Sequence, residues 1–414
     1  MGALSHIKVL DLSRVLAGPW ASQLLADLGA EVIKVENPDG GDDTRGWGPP
    51  YMRDNAGQTT KESAYFLCAN RGKQSVCLDM KTKNGQKAIR QLATQSDVVI
   101  ENFKVDTMAK YGLDYGTLSK ANPRLVYCSI TGFGQTGPLK TFPGYDIIVQ
   151  AMSGLMSITG NPDGTEGAGP QKVGVALTDI MTGLYSVIGI LAALSERDQS
   201  GQGQYVDLAL LDVAIACMAN QAANYLVGGM IPKRLGNMHP NIVPYQSFVA
   251  KDGDLVVAVG NDIQFRSYME VLGLSELVND ERFATNRQRV KHRDLLVPLL
   301  QAKMLDRDRQ EWMVLLGSAN VPCSPINTIA EAFQTPQVQS REMQVKMPHI
   351  LKDDLQLLSN PIKLSRTPVE YHRPPPILGQ HTDEVLSSLK AGSQHSDIKK
   401  KEYRIEQKYC LNRL

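Results

Sequence analysis

The sequence predicts an α/β protein whose larger domain contains a doubly wound, mostly parallel sheet. Two observations lead to this class. Strand-like and helix-like segments alternate through the first 130 residues, and the chain changes character beyond about residue 200, where Gly- and Pro-rich stretches interrupt it. Alternation of this kind places helices on both faces of a parallel sheet. The change in character predicts a second, smaller domain.

The first unit reads strand, helix, strand. Residues 7–12 form a short apolar strand, and Pro19 suits the first turn of the helix that follows. Leu24 and Leu28 repeat at helical spacing, and residues 31–36 return as a second strand. Two strands joined by one helix within about thirty residues make a parallel βαβ unit.

The same alternation continues along the chain. Strands are predicted at residues 74–78, 97–101 and 125–130, and a helix is predicted over 82–94. The segment SRVLAGPW follows the first strand, where a dinucleotide-binding fold would carry GxGxxG. The fold is therefore expected to be Rossmann-like without dinucleotide chemistry.

The second half of the chain is organised differently. The predicted elements, in order, are a strand at 205–208, a helix at 212–227, a linker at 228–244, a hairpin at 248–257 with Asp-Gly at its turn, helices over 262–320 and a loop or short strand at 321–326. We therefore expect a large α/β domain over 1–224, completed by 329–414, and a small domain over 225–328.

Composition excludes several classes of function. Lys and Arg number 44 against 43 Asp and Glu, so no bulk positive field favours nucleic acid. The six cysteines and seven histidines lack metal-ligand spacing, and neither a metal site nor a disulfide framework is expected. The longest apolar stretch, residues 173–194, contains an Asp near its start and is predicted to be a buried helix, not a membrane span. No signal or transit segment is recognisable.

Asp179 is the strongest single candidate for chemistry. It lies in VGVALTDIMTG, a segment otherwise almost free of charge. A carboxylate in such a segment either interacts with the first turn of the helix or is kept available as a nucleophile. The residues around Asp179 leave both interpretations open.

Eight motifs, in this order along the chain, resemble those of the class III CoA-transferase (CaiB/BaiF) family: IKVLDLSRVLAGPWASQLLADLGAEVIKVE, NRGKQSVCLDMK, DVVIENF, SITGFGQTGP, PGYDIIVQAMSGLM, GVALTDIMTGLYSVIGILAALSER, GQGQYVDLALLD and ILGQHTDEVL. The resemblance implies a Rossmann-like large domain, a smaller α/β domain and two chains interlocked as rings. It also implies that Asp179 is the catalytic residue and forms an aspartyl-CoA thioester.

The resemblance further implies the substrates and their contacts. CoA thioesters are expected as substrates, with no tightly bound cofactor and no metal. The implied CoA-binding residues are Val15, Leu16, Leu78, Asp79, Met80, Lys81, Asn102, Phe103, Lys104, Lys110, Tyr145 and Asp146. Formyl-CoA transferases have Arg after VIKIE, whereas this chain has Asn37. A mitochondrial matrix location is implied, with the cytoplasm as the alternative.

Three functions remain to be compared. Transfer of CoA from succinyl-CoA, or a similar acyl-CoA, to a dicarboxylic acid such as glutarate is favoured, because RLGNMHPNIVPYQSF resembles the branch that acts on dicarboxylic acids. The α-methylacyl-CoA racemases of the family use a His where this chain has Tyr145, and a phenol, which ordinarily titrates near ~10, is a poor proton acceptor. The third possibility is a CoA-binding protein without turnover. The candidates for holding the acceptor's far carboxylate are Arg14, Lys172, Arg234 and His239.

Overall fold

The computed structural model describes residues 2–389, which divide into two units. The larger unit contains residues 2–153, 174–219 and 342–389, and the smaller contains Gly154–Val173 and Asn220–Arg341. The sequence placed the smaller domain at 225–328, so the structure adds the segment Gly154–Val173 and extends the unit at both ends. Residues 390–414, which the sequence assigned to the large domain, lie outside the described residues.

The described part of the chain contains helices and strands throughout both units. The strands are β1 Lys8–Asp11, β2 Glu31–Glu36, β3 Tyr51–Arg53, β4 Thr59–Ser63, β5 Lys73–Cys77, β6 Val98–Glu101, β7 Val126–Thr131, β8 Tyr205–Ala209, β9 Tyr245–Ala250, β10 Gly253–Ala258, β11 Cys323–Pro325, β12 Gln344–His349 and β13 Lys352–Leu358. The helices are α1 Ala17–Asp27, α2 Ala64–Leu67, α3 Lys83–Thr94, α4 Thr107–Lys110, α5 Tyr115–Ala121, α6 Asp146–Met152, α7 Leu155–Ile158, α8 Leu177–Ser200, α9 Leu210–Ala216, α10 Ala219–Gly228, α11 Asp262–Leu272, α12 Asn286–Lys291, α13 Arg293–Met304, α14 Arg309–Ser318, α15 Ile329–Gln334 and α16 Pro336–Ser340.

The larger unit is built on a six-stranded sheet in the order β5-β2-β1-β6-β7-β8, with every neighbouring pair parallel. If these six strands are counted in chain order, the sheet reads 3-2-1-4-5-6, the doubly wound arrangement of dinucleotide-binding folds. The predicted α/β class with a parallel sheet is confirmed. The order reverses between β1 and β6, and ligands of such folds bind at the carboxyl ends of the strands at this point.

Each face of the sheet is covered by helices because its strands present apolar side chains on both sides. On one face, Val9 and Ile100 are buried with Leu25 of α1 and Ile190 of α8. On the other face, Leu10 and Val99 belong to a second cluster that includes α3 residues. Helix α8 is thereby fixed against the sheet and α1.

Two helix predictions are corrected by the structure. The predicted helix over 212–227 is two helices, α9 and α10, separated by a break near Ala219, which has φ +43°. The apolar stretch 173–194 becomes helical only from Leu177, and the helix is not buried all round, since Ile188 is 61% exposed. Among the described residues, α8 alone is a single helix with the length and hydropathy of a membrane span.

The smaller unit has a three-stranded antiparallel sheet, β11-β10-β9. The predicted hairpin with its Asp-Gly turn is confirmed as β9 and β10, and the predicted loop at 321–326 contains β11. Phe248, Leu255, Phe265 and Trp312 are buried together in the core of this unit.

The edge strand β5 of the parallel sheet is covered by the motif ILGQHTDEVL. The backbone N–H of Ser75 donates to Nδ1 of His381 over 3.2 Å, and that of Cys77 donates to Oγ1 of Thr382 over 3.0 Å. The carbonyl of Ser75 accepts from the N–H of His381 over 3.0 Å. An exposed edge would offer these groups to another strand, so the motif closes the sheet.

Candidate active site

A cavity of about 190 Å³ opens at the carboxyl ends of β1, β6 and β7, where the strand order reverses. The residues that line it are Arg14–Ala17, Asp43, Asn102–Val105, Ile130–Gly132, Lys140, Phe142–Asp146, Asp179 and Leu210. All of these residues belong to the larger unit. The fold thus places Asp179 in the crevice where ligands of doubly wound sheets bind.

Asp179 occupies the first turn of α8, and a neighbouring carboxylate caps that turn. The N-cap position, Ala176, has no side-chain hydrogen bond to offer. Asp146 instead accepts from the backbone N–H of Thr178 over 2.8 Å and from its hydroxyl over 2.6 Å, and its second oxygen accepts from Gln150 over 2.7 Å. Asp146 therefore fixes the helix end that carries Asp179, since a capping acceptor satisfies a free helical N–H.

The electrostatics of the site favour the neutral form of Asp179. Burial, together with the negative charge of Asp146, raises the pKa of Asp179 from 3.8 to about 7. Within the described residues, neither a lysine nor an arginine forms an ion pair with Asp179. Tyr65 lies close enough that, after burial, the charge of Asp179 helps to raise the pKa of its phenol to about 12, and Tyr65 contacts Trp47 edge to face at 5.2 Å. A carboxylate left without a cation in this way is available for chemistry.

A close approach of helices α1 and α8 fixes Asp179 relative to the first loop of the pocket. At Gly183, an added Cβ would lie 2.8 Å from the carbonyl oxygen of Ala17 and 3.1 Å from the Trp20 ring. Only glycine allows α8 to pack this closely on α1. The motif TDIMTG thus combines the carboxylate with the residue that positions its helix.

Three cationic side chains line the cavity. Arg14 pairs with Asp43 at 2.9 Å, and its guanidinium lies 5.0 Å from the centre of the Phe103 ring. Lys104 and Lys140 also line the cavity. Both side chains of the Arg14–Asp43 pair are about half exposed, so the pair contributes little to stability and is open to exchange with an anionic ligand.

Comparisons with known proteins identify the family of the chain. The model of CoA-transferase family III matches residues 4–382. The chain belongs to CoA-transferase family III. It is 51% identical to the succinate–glutarate CoA-transferase of Agrobacterium fabrum over 93% of this chain and 95% of that protein. It is 41% identical to the human succinyl-CoA:glutarate CoA-transferase over 93% of this chain and 86% of that one.

A solved structure of a CaiB/BaiF family protein from Brucella suis has the same fold. It superposes with a TM-score of 0.82 at 46% identity, covering 94% of this chain and 99% of that one. The family expectation drawn from the eight motifs is therefore confirmed, and this chain is a family III CoA-transferase.

The structure brings nine of the residues implied for a family III site into one cavity. They are Asp179, Arg14, Val15, Leu16, Asn102, Phe103, Lys104, Tyr145 and Asp146, of which Asp179 is the implied nucleophile and the others its neighbours. Leu78 and Asp79 line a separate cavity beside α3. Met80 packs near the α3 core, Lys81 is exposed, and Lys110 lies 5.8 Å from the centre of the Tyr111 ring.

The other acceptor candidates belong to the smaller unit. Arg234 forms an ion pair with Asp163 and donates to the carbonyl of Ser157 over 3.3 Å. Lys172 donates to the carbonyl of Val173, and Nδ1 of His239 accepts from the backbone of Asn241 over 3.0 Å.

Several lining residues were not found by sequence reasoning. Lys140 and Phe142 follow the motif SITGFGQTGP by a few residues, in a loop that the sequence left unassigned. The loop returns to its start because Gly132 and Gly144 cross so closely that a Cβ on either would overlap the other's backbone. The two glycines were a usable signal, since each lies within a recognised motif, but their contact was not deducible from spacing.

Proposed function

We propose that this chain transfers CoA from succinyl-CoA to a dicarboxylate such as glutarate, with Asp179 as the nucleophile. The observation that carries the proposal is a carboxylate in the cavity at the sheet's reversal point, without a cation and with its pKa raised to about 7. A more basic, partly desolvated carboxylate is a better nucleophile than an aspartate in water. The names of the relatives support succinate and glutarate as the acids exchanged.

The proposed reaction proceeds through four substitutions at acyl carbon. A carboxylate oxygen of Asp179 attacks the thioester carbon of succinyl-CoA, and the C–S bond breaks to give a mixed anhydride and CoA thiolate. The thiolate attacks the aspartyl carbon, releasing succinate and leaving an aspartyl-CoA thioester. Glutarate attacks that thioester and releases CoA thiolate, which then attacks the glutaryl carbon. Glutaryl-CoA leaves, and the Asp179 carboxylate is regenerated.

The cations of the cavity suit the polyanionic part of CoA. Lys104 and Lys140 line the cavity together with Arg14. Lysines bind phosphate as compact point charges. We assign Lys104 and Lys140 to the CoA phosphates and leave Leu78, Asp79, Met80, Lys81 and Lys110 as proposed contacts of the more distant part of the cofactor.

Trapping during turnover tests the nucleophile. Borohydride or hydroxylamine, added in the presence of succinyl-CoA without acceptor, is expected to modify Asp179 and to be found there by peptide mass spectrometry. Asp179→Asn serves as the control, because it keeps the shape of the side chain and removes the nucleophilic charge. Modification of Asp146 instead, or modification that persists in the Asp179→Asn variant, would contradict the assignment.

A dicarboxylate needs a cation for its far carboxylate, since an unpaired buried charge is costly. Among the four candidates, Arg14 lines the cavity that contains Asp179, and its planar guanidinium can hold a carboxylate with two hydrogen bonds. Glutarate would replace Asp43 as its partner. Lys172, Arg234 and His239 are not among the residues that line this cavity, so Arg14 is the candidate that we propose for glutarate.

An acceptor panel with alanine variants separates these candidates. Arg14→Ala is expected to reduce kcat/KM for glutarate far more than for butyrate, whereas Lys172→Ala, Arg234→Ala and His239→Ala should leave the ratio unchanged. A ratio that Arg14→Ala does not move would show that another group holds the far carboxylate.

Isotope exchange distinguishes transfer from racemisation. A racemase exchanges the α-proton of a 2-methylacyl-CoA with solvent, and this needs a base at neutral pH. We expect no deuterium at the α-carbon after incubation in D₂O, because Tyr145 replaces the histidine of that mechanism. Rapid incorporation would favour the racemase alternative, and CoA binding without either reaction would favour an inert binding protein.

We also propose that the chain assembles as an interlocked homodimer. Large apolar side chains are exposed in the larger unit on α6 and α8, namely Ile147, Ile148, Met152, Leu184, Tyr185 and Ile188, and Val227 of α10 is 89% exposed. A second copy would cover them, since soluble proteins rarely leave such patches open. Mass photometry at nanomolar concentration should show dimers only; a folded, active monomer would contradict the proposal.

The mitochondrial location stays a prediction.

A further inference from the structure

The loop between β1 and α1 contains a strained residue in the wall of the cavity. Val15 has φ +69°, in the left-handed region. A β-branched side chain there is a true conformational outlier, because its Cβ crowds the following carbonyl. Such a residue persists only where its surroundings over-determine its conformation.

Side chains from four different segments hold the backbone of this loop. Asp11 accepts from the N–H of Ser13 over 2.9 Å, and Lys34 donates to the carbonyl of Ser13 over 2.8 Å. The carboxamide of Asn102 accepts from the N–H of Arg14 over 2.8 Å and donates to the carbonyl of the same residue over 2.6 Å.

Asp42 completes the set by accepting from the N–H of Val15 over 3.2 Å. Five consecutive backbone groups of the loop therefore bond to side chains. We call these four side chains the loop clamp: Asp11, Lys34, Asp42 and Asn102.

Buried ion pairs lock the clamp itself. Lys34 and Asp42, both with fully buried side chains, lie 2.9 Å apart, and Lys73 and Asp11, equally buried, lie 3.1 Å apart. Lys73 also donates to Asn70 over 2.8 Å. Loss of one partner of a buried pair is strongly destabilising, whereas the pair as such adds little stability over apolar side chains. A cluster of this kind is better explained by a fixed geometry than by stability.

We propose that the loop clamp holds the strained loop at Val15 in the conformation that receives the CoA thioester, so that Asn102 acts as a positioning residue and not as a direct CoA contact. This proposal rests on the proposed function. Both polar atoms of the Asn102 carboxamide are bonded to the backbone of Arg14, so the side chain is directed at the loop. A loop fixed before binding loses no conformational entropy when the ligand arrives.

A double-mutant cycle tests this role with CoA itself as the probe. Asn102→Ala releases Arg14, and the strained loop should relax away from its bound form, weakening CoA binding on the order of tenfold. Val15→Gly removes the strain, because glycine adopts positive φ freely. In the Val15→Gly background, Asn102→Ala should therefore weaken CoA binding about threefold or less. Calorimetry measures the Kd, and KM for succinyl-CoA should rise in parallel with little change in kcat.

Val15→Ala is the matched control, because alanine shortens the side chain but keeps the Cβ and hence the strain. In the Val15→Ala background, Asn102→Ala should still weaken CoA binding about tenfold. If Asn102→Ala weakens CoA binding equally in the wild type, in Val15→Gly and in Val15→Ala, Asn102 is a direct contact and the proposal is wrong. The proposal is also wrong if Asn102→Ala weakens CoA binding in none of the three. Asn102→Ser replaces Asn102→Ala if circular dichroism shows that the alanine variant is unfolded. If the wild-type protein fails to bind CoA, the proposed function is refuted. If the wild-type protein binds CoA but the effects of the two substitutions on the Kd are additive, only this inference is refuted.

Discussion

The pH dependence of transfer follows directly from the position of Asp179. Its pKa of about 7 is the combined result of burial and the charge of Asp146. Only the ionised form attacks a thioester, so the reactive fraction is roughly 10% at pH 6 and roughly 90% at pH 8. We therefore expect kcat/KM for succinyl-CoA to rise about tenfold between these values. An aspartate with an ordinary pKa would give a flat profile over the same range.

Asp146→Asn is the perturbation that identifies the group. The variant keeps an oxygen to accept from Thr178 but removes the like charge, so the pKa of Asp179 should fall. The rising part of the pH profile of kcat/KM, called the limb below, should then move roughly half a unit or more to lower pH. Glu101, whose pKa burial also raises to about 7, is the necessary control. Glu101→Gln should leave the limb in place.

Initial rates at constant ionic strength, with uncatalysed thioester hydrolysis subtracted, give the profiles. A limb that moves with Glu101→Gln and not with Asp146→Asn would refute the assignment of the pH dependence to Asp179. A profile that is flat between pH 6 and pH 8 would refute the raised pKa itself.

Further predictions concern stability, binding and packing. Because the pKa of Asp179 is raised in the folded state, the wild type loses stability as pH rises from about 4 to 7; Asp179→Asn should melt a few degrees higher at pH 8 and no higher at pH 4. Lys140→Ala should raise KM for succinyl-CoA on the order of tenfold, less in high salt, with kcat nearly unchanged. Gly183→Ala should cost on the order of 2 kcal/mol in chemical denaturation, because its Cβ would meet the carbonyl of Ala17; Gly174→Ala, in open space, is the control. Equal effects of the two glycine substitutions would exclude the close approach as the cause.

The parts of the fold that sequence predicted are those with strong local signals. The strands of the parallel sheet are short apolar runs bounded by helices, and their positions agree with the predicted ones within one or two residues. The break between α9 and α10 was missed because Ala219 is a good helix former whose positive φ depends on tertiary packing. The hairpin β12–β13 was also missed, since its charged residues weaken the alternation that marks a strand.

In the site, too, sequence predicted the residue with a strong local signal and missed the contacts between distant segments. Asp179 stood out because its surroundings are apolar, and its helix-terminal position followed from the flanking sequence. The role of Asp146 as the cap of α8 depends on a contact across 32 residues, and the bond between Asn102 and Arg14 on one across 88. Periodicity reports which face of an element is apolar but not which polar groups meet, so these partners could only be found in three dimensions.

The cover over strand β5 has a consequence for how the chain is made. His381 reaches back across 306 residues to Ser75, so the sheet cannot be closed on that side until nearly all of the described chain has left the ribosome. At common synthesis rates the edge stays open for roughly 15 to 60 s. During that time a growing chain presents free N–H groups to its neighbours. Translation speed and chaperone occupancy would then influence how much of this enzyme a cell obtains in active form.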